Sequence, residues 1–250
     1  PEVIWPFLFI WRVKKVKAIR GMLSSSALYQ HNFSKRLYLL ILKFLGVFRN
    51  STIQVTSSQE ENQVLQELGK KTKIQIVPNF PDLLPAQAVI DKLPGNLRLC
   101  VIALIGPLKN HHLVIQALSQ IKSSFIEYDI YGPMPDPAYW NYCKKLIAEV
   151  PSNIKVRYLG SIAAMEIPAC LANHHAFIQP SASENFGHSI YEALSSGRPV
   201  ITSETTPWNN LESAHAGINV NPNAKCPRRI IIIEPVIANI KRLKASPNTM

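Results

Sequence analysis

Two carboxylates, Glu184 and Glu192, flank a glycine in the stretch Ser181-Ala-Ser-Glu-Asn-Phe-Gly-His-Ser-Ile-Tyr-Glu192. Residues 176–180 read as a short buried strand, and residues 188–196 as a helix that Gly197 ends. A helix starting at the end of a parallel strand presents unbonded backbone N–H groups and the positive end of its dipole, which suits a phosphate. Glu184 lies just before that start, in a loop with Asn185, Phe186, Gly187 and His188. Glu192 lies within the helix, where its carboxylate can accept hydrogen bonds from sugar hydroxyls.

The elements that must position these groups alternate as strand and helix. Residues 97–105 form a near-continuous apolar run, as expected of a central parallel strand. Strands are also expected at 126–131, 154–159, 177–179 and 199–202. Between them, one helix buries Val114, Ala117, Leu118 and Ile121, and another places Tyr139, Tyr142, Cys143, Leu146, Ile147 and Val150 at helical spacing. A short helix covers 166–172, and a final one lies near Trp208. This alternation predicts a parallel sheet with helices on both faces.

Upstream, residues 34–45 carry Leu37, Leu40, Ile41, Phe44 and Leu45 on one helical face. A strand follows at 52–56, then a helix opened by a capping box at Ser58-Gln-Glu-Glu61 and closed by Gly69, then a strand at 73–77. Pro78, Pro81, Pro85, Pro94 and Gly95 have linker composition. The expected division is a partial N-terminal Rossmann-like domain at 1–80, a hinge at 81–96, a complete α/β domain at 97–221 and an irregular tail at 222–250. In that tail, residues 228–234 suit one edge strand.

Ligands of open α/β sheets sit outside the carboxyl ends of the strands. Three loops leave that edge: 106–110 with Gly106 and Lys109, 131–133 with Gly132, and 183–188. Together they offer an ammonium, backbone N–H groups and two carboxylates, a set that fits a nucleoside diphosphate-sugar.

The strings Glu184-Asn-Phe-Gly-His188, Glu192-Ala-Leu-Ser-Ser-Gly-Arg-Pro-Val-Ile201 and Thr205-Thr-Pro-Trp208 resemble the signature of retaining GT-B glycosyltransferases of the group 1 (family 4) type. Arg20-Gly-Met-Leu23 and Pro78-Asn79 extend the resemblance over roughly residues 17–221. It implies a GT-B-like α/β fold of doubly wound parallel sheets, with one complete nucleotide-binding domain and a truncated acceptor domain. It also implies sugar transfer with retention, without metal, and with no cofactor beyond the nucleotide-sugar donor. By the same resemblance Lys109 neutralises the donor diphosphate, Glu184 contacts the donor sugar, Asn185, Phe186 and Gly187 face sugar and phosphate, and Glu192 holds the ribose. Lys109 and Glu184 are the catalytic candidates. The implied acceptor is a glycan or lipid-linked intermediate of lipopolysaccharide or exopolysaccharide synthesis, in the cytoplasm or peripherally on the inner membrane face.

Two features depart from the family. Leu104 stands where the family has an arginine, and the glycine-rich loop and histidine of the acceptor domain have no counterpart. A non-catalytic or truncated nucleotide-sugar-binding module therefore stays open as the alternative. The chain begins at Pro1, and its N-terminal part is expected to be missing.

Net charge is +11, from 27 basic and 16 acidic residues, with basic clusters at 12–20, 228–229 and 241–242. That sign suits phosphorylated ligands or an anionic membrane surface. No recognition motif accompanies it, so nucleic acid is not an expected partner. The apolar run at 3–11 contains Pro6, is too short to span a bilayer, and precedes its charges instead of following them as in a signal peptide. None of the four cysteines lies in a C-x-x-C pair, which predicts buried free thiols in a reducing compartment and no metal site. His111 and His112 fall on different sides of a helix. Ser189 lacks the final glycine of a nucleophile elbow, because Tyr191 occupies it. Dinucleotide and P-loop fingerprints are absent.

Overall fold

The computed structural model describes residues 15–23, 32–79, 84 and 95–222. The apolar run at 3–11, most of the 81–96 hinge, Cys226 and the 228–234 segment lie outside the described residues. The chain divides into two compact units, Pro1–Phe80 and Pro81–Met250.

The first unit contains β1 (Lys15–Ala18), α1 (Asn32–Phe44), β2 (Ser51–Val55), α2 (Ser58–Leu68) and β3 (Lys73–Ile76). The three strands pair in parallel in the order β1-β2-β3. Central β2 alternates buried and half-buried positions, and its Ile53 and Val55 pack with Leu39 and Val64. Strand β1 lies within the basic segment that the sequence presented only as surface charge. It pairs with β2 from Lys15 to Ala18, and Lys17 donates its ammonium to the Val47 carbonyl. The α2 cap forms one residue earlier than expected: the Ser57 side chain, not that of Ser58, accepts from the Glu60 N–H at 3.2 Å. Glu60 turns back to accept from the N–H groups of Thr56 (2.7 Å) and Gly21 (2.5 Å), tying the turn after β1 to the start of α2. On α1 the stripe Leu37, Leu40, Ile41 and Phe44 faces outward, and Leu39 turns into the core instead.

The second unit contains β4 (Asn96–Ile102), α3 (His111–Leu118), β5 (Phe125–Tyr131), α4 (Pro137–Ala148), β6 (Ile154–Tyr158), α5 (Ile167–Ala172), β7 (Ala176–Gln179), α6 (His188–Ser195), β8 (Val200–Ser203) and β9 (Gly217–Val220). Short 3-10 turns cover Pro107–Lys109 and Ala164–Glu166. All six strands are parallel, in the order β6-β5-β4-β7-β8-β9. Strands β7 and β8 are buried at every position, as apolar strands covered on both faces must be. The fold is thus α/β with parallel sheets, as the alternation of elements predicted.

Strand β9, the edge of this sheet among the described residues, was not foreseen, and the helix expected near Trp208 does not form. Residues 204–216 make turns instead. The cause is local. Asn219 of β9 donates to the Trp208 carbonyl at 2.8 Å and accepts from the Leu211 N–H at 3.2 Å, occupying backbone groups that a helix would need. Among the described residues no helix is long and apolar enough to cross a membrane.

Candidate functional site

The strand order turns at β4, with β5 and β6 on one side and β7 to β9 on the other. Where the order reverses, the loops leaving neighbouring strands diverge and open a crevice at the carboxyl edge of the sheet. Here those loops are 103–110, after β4, and 180–187, after β7. They are stitched together by the Ala182 N–H, which donates to the Leu108 carbonyl at 2.8 Å, and by Asn110 Nδ2, which donates to the Pro180 carbonyl at 2.8 Å.

The first loop is anchored to its neighbours by backbone bonds. The Ala103 N–H donates to the Tyr131 carbonyl and the Ile105 N–H to the Pro133 carbonyl, both at 2.9 Å. Gly132 has φ 138°, and a Cβ there would lie 1.9 Å from the Ala103 carbonyl oxygen, so only glycine lets the ends of β4 and β5 approach this closely. His111 is fully buried, which pushes its pKa down to about 4. Its neutral ring donates from Nε2 to the Leu104 carbonyl at 3.1 Å and holds the loop down. Asn110, at φ 55°, ends the 3-10 turn that projects Lys109. Gly106 is extended, and the space where a Cβ would stand is open.

Lys109 Nζ donates to Glu184 Oε1 across the crevice. The same oxygen accepts from Gln179 Nε2 and Ser181 Oγ, each at 2.7 Å. Gln179 Oε1 in turn accepts from Ser189 Oγ at 3.0 Å. Glu184 is therefore held on one oxygen, and among the described residues nothing donates to Oε2. Gln179, Ser181 and Ser189 are members of the site that the motif did not reveal. Their signal was their proximity to Glu184 in the chain, but only the fold turns their polar atoms toward it.

Gly187 caps α6 at φ 78°, with no side chain on the helix's first N–H groups. The loop before it is pinned by Phe186, whose ring packs against His188, Trp208 and Tyr191 at centroid distances of 4.9, 5.4 and 5.8 Å, and whose carbonyl accepts from the Trp208 indole. Asn185 and His188 are exposed. Glu192 is half-buried, and burial raises its pKa. Of the sequence candidates, Lys109 and Glu184 are brought into direct contact. Asn185, Phe186 and Gly187 follow Glu184 on its loop, and His188 opens α6. Gly106 accepts from the Lys109 backbone N–H at 3.0 Å, whereas among the described residues Gly132 and Glu192 share no hydrogen bond with the pair.

A cavity of about 730 Å³ lies at the ends of β5 and β6, lined among others by Tyr131, Leu159, Ile162, Met165, Glu166 and Cys170. Next to it Cys170 and His174, four positions apart in the chain, meet Cys100, whose distance in sequence hid the cluster.

Residues 87–224 match the family model described as Glycosyl transferases group 1. A stretch of 68 residues, 27% of the chain, is 37% identical to O-antigen chain mannosyltransferase B of Escherichia coli and covers 18% of that protein. The structure is similar to Anabaena Alr3699/HepE in complex with UDP and glucose, with a TM-score of 0.74 and 20% identity, covering 96% of this chain and 66% of that one. It is also similar to sucrose-phosphate synthase from Thermosynechococcus elongatus, with a TM-score of 0.73 and 19% identity over 98% of this chain and 63% of that one. The chain spans less than two thirds of the length of each of these relatives. At such identities the structural likeness establishes a shared GT-B-like fold. The family match is more specific, because it takes in both loops of the crevice and more than half of the residues: the chain belongs to the glycosyl transferases of group 1.

Proposed function

We propose that this chain carries the donor site of a transferase that moves a sugar from a nucleoside diphosphate-sugar to an acceptor hydroxyl, with retention at the anomeric carbon. One observation carries the proposal. Lys109 and Glu184 meet where the strand order reverses, with the uncapped start of α6 beside them. An ammonium and free helical N–H groups suit a diphosphate, and the open Oε2 of Glu184 suits a sugar hydroxyl. Glu192 is assigned to the ribose hydroxyls. The cavity walled by Tyr131, Leu159, Ile162 and Met165 is apolar enough to receive a base. Residues 97–221 are assigned to the donor and residues 1–80 to the acceptor side, with 81–96 as the hinge.

In the proposed step the bond from the anomeric carbon to the diphosphate breaks, and a bond to the acceptor oxygen forms on the same face. The departing diphosphate takes the acceptor's proton. Lys109 and the α6 N–H groups hold the charge that develops on it, at about 2–4 kcal/mol for such a contact. No metal ion takes part. The proposed acceptor is a glycan or lipid-linked intermediate at the inner face of a membrane. Support for a membrane surface comes from α1, where Leu40 (60% exposed) and Phe44 (92%) face outward near Arg36 and Lys43.

Calorimetric titration with UDP-, GDP- and ADP-sugars, followed by NMR of the anomeric proton in any product, tests the proposal. Saturable binding with transfer and an unchanged anomeric configuration is expected. Binding without turnover would favour a binding module instead, a reading supported by Leu104, which is 51% exposed where the family carries a cation. Failure of all three nucleotides to bind would end the proposal.

A further inference from the structure

The cluster beside the cavity has a chemistry that sugar transfer does not use. Cys100 Sγ in β4, Cys170 Sγ in α5 and a ring nitrogen of His174 lie within 4.8 Å of one another. Cys100 is fully buried, whereas Cys170 lines the 730 Å³ cavity, so a small reagent entering there meets Cys170 first. Both nitrogens of His174 face acceptors: Nδ1 the Cys170 carbonyl at 2.7 Å, and Nε2 the Asp129 Oδ2 at 3.1 Å. An imidazole donating from both nitrogens is an imidazolium. Its Nδ1 stands 4.0 Å from Cys170 Sγ, close enough to stabilise a thiolate. Asp129 is itself held by Arg157, through Nε at 2.6 Å and Nη2 at 2.8 Å, which fixes the carboxylate against the ring.

We propose that Cys170 is a nucleophilic thiolate open to covalent modification from the cavity, and that Cys100 resolves its oxidised form into a Cys100–Cys170 disulfide. The electrostatics agree. A hydrogen bond from Cys100 lowers the Cys170 pKa against the cost of burial, with His174 adding to the effect, while burial and the same bond keep the Cys100 thiol protonated. The groups facing the pair are Asp129 and Tyr131 from β5, Arg157 from β6, His174 after α5, and Arg198, whose charge is felt at Cys100.

With a peroxide as oxidant, the Cys170 thiolate attacks one peroxide oxygen. The O–O bond breaks, and the departing hydroxide takes a proton from His174 to leave as water. Neutral His174 then accepts the Cys100 proton. The Cys100 sulfur displaces hydroxide from the Cys170 sulfenic acid, and that hydroxide recovers the proton as a second water. Two thiols are oxidised to one disulfide, and one peroxide is reduced to two waters. The modification requires only the cavity, whatever ligand the cavity serves.

The test is iodoacetamide labelling of the full chain between pH 6 and 8, read peptide by peptide by mass spectrometry so that Cys143 and Cys226 are scored separately. In the native chain the labelling rate of Cys170 is expected to change less than about threefold over that range. The same peptide in urea-denatured chain should change roughly a hundredfold, as an ordinary thiol does. Stoichiometric hydrogen peroxide should then yield a Cys100–Cys170 crosslink in the unreduced digest, and Cys100→Ser should leave Cys170 as a sulfenic acid trapped by dimedone. Native Cys170 that stays unlabelled, or follows the denatured profile, overturns the proposal. So does peroxide treatment that produces no Cys100–Cys170 crosslink, or a purified chain whose Cys170 is blocked by zinc until a chelator is added.

Discussion

Lys109 and Glu184 close an ion pair between the loop after β4 and the loop after β7, on opposite sides of the point where the strand order reverses. The pair brings the two charges together at side-chain exposures of only 20% and 11%. A diphosphate entering the crevice must share or displace Glu184 as the lysine's partner. Lys109→Ala should therefore weaken UDP binding about tenfold or more and abolish transfer, since a hydrogen bond to a charged group contributes roughly 1.5–3 kcal/mol. Glu184→Gln should bind UDP as well as the parent or better, while transfer falls at least about a hundredfold. Calorimetry and a transfer assay read both, and a Glu184→Gln chain with parental turnover would remove Glu184 from the mechanism.

Glu192 gives a prediction of opposite sign for stability and binding. Burial raises its pKa above that of the unfolded chain, so the ionised form costs stability at neutral pH, and the cost disappears as the pH falls through its folded pKa. Glu192→Gln should be more stable than the parent at pH 7–8, with the gain vanishing near pH 4. If the carboxylate holds the ribose, Glu192→Ala should weaken nucleotide binding while urea denaturation shows an intact fold. Unchanged affinity would reassign the ribose contact.

Gly132 tests the backbone contact that sets the crevice. A Cβ would stand 1.9 Å from the Ala103 carbonyl oxygen, and the φ of 138° strains any other residue. Gly132→Ala should cost at least about 2 kcal/mol in urea unfolding. Gly187→Ala, at φ 78° with its nearest contact at 3.0 Å to the end of Ile190, should cost only about 1 kcal/mol. Equal costs at the two positions would contradict the distinction drawn between backbone and side-chain obstruction.

The Asp129–His174 contact predicts a pH signature in stability. Burial works against both charges, but the His174 hydrogen bond and the Arg157 guanidinium hold Asp129 at about 2, below its ordinary 3.8. The Asp129 bond in turn brings His174 up to about 9, above its ordinary 6.5. The aspartate's contribution is present above about pH 4 and is lost as the pH falls through 2. The histidine's contribution is complete below pH 6.5 and is lost as the pH rises through 9. Asp129→Asn should therefore destabilise the chain most between about pH 4 and 6.5, by an amount on the order of 3 kcal/mol, with the difference narrowing toward pH 9. A difference independent of pH would show that the loss is one of packing alone.

The alternation of strands and helices was legible in the chain because buried parallel strands must be apolar along their length, as Leu99 to Val101 and Ala176 to Ile178 are. The pairing of Glu184 with a glycine-led helix was legible for a similar reason, since loop, glycine and helix start are neighbours in sequence. Edge strands β1 and β9 were not legible. Each is four residues long, too short for a long apolar run, and in β1 the alternation is inverted, with Lys15 and Lys17 half-buried and Val16 exposed. The face of α1 was misjudged because an apolar stripe does not say whether it faces the core: Leu37, Leu40, Ile41 and Phe44 are exposed, and Leu39, outside the stripe, turns inward.

Local pattern, then, was enough to determine most of the strands and helices and the loop and helix that carry Glu184 and Glu192. Tertiary structure decided the rest: that β4 lies between β5 and β7, that Lys109 meets Glu184 there, and that Cys100 comes to lie within 4.8 Å of Cys170 and His174. The reason is that secondary structure follows from propensity and periodicity over a few residues. Strand order, by contrast, is set by the free energy of burying whole faces of the sheet, and residues far apart in the chain become neighbours only when that order is established.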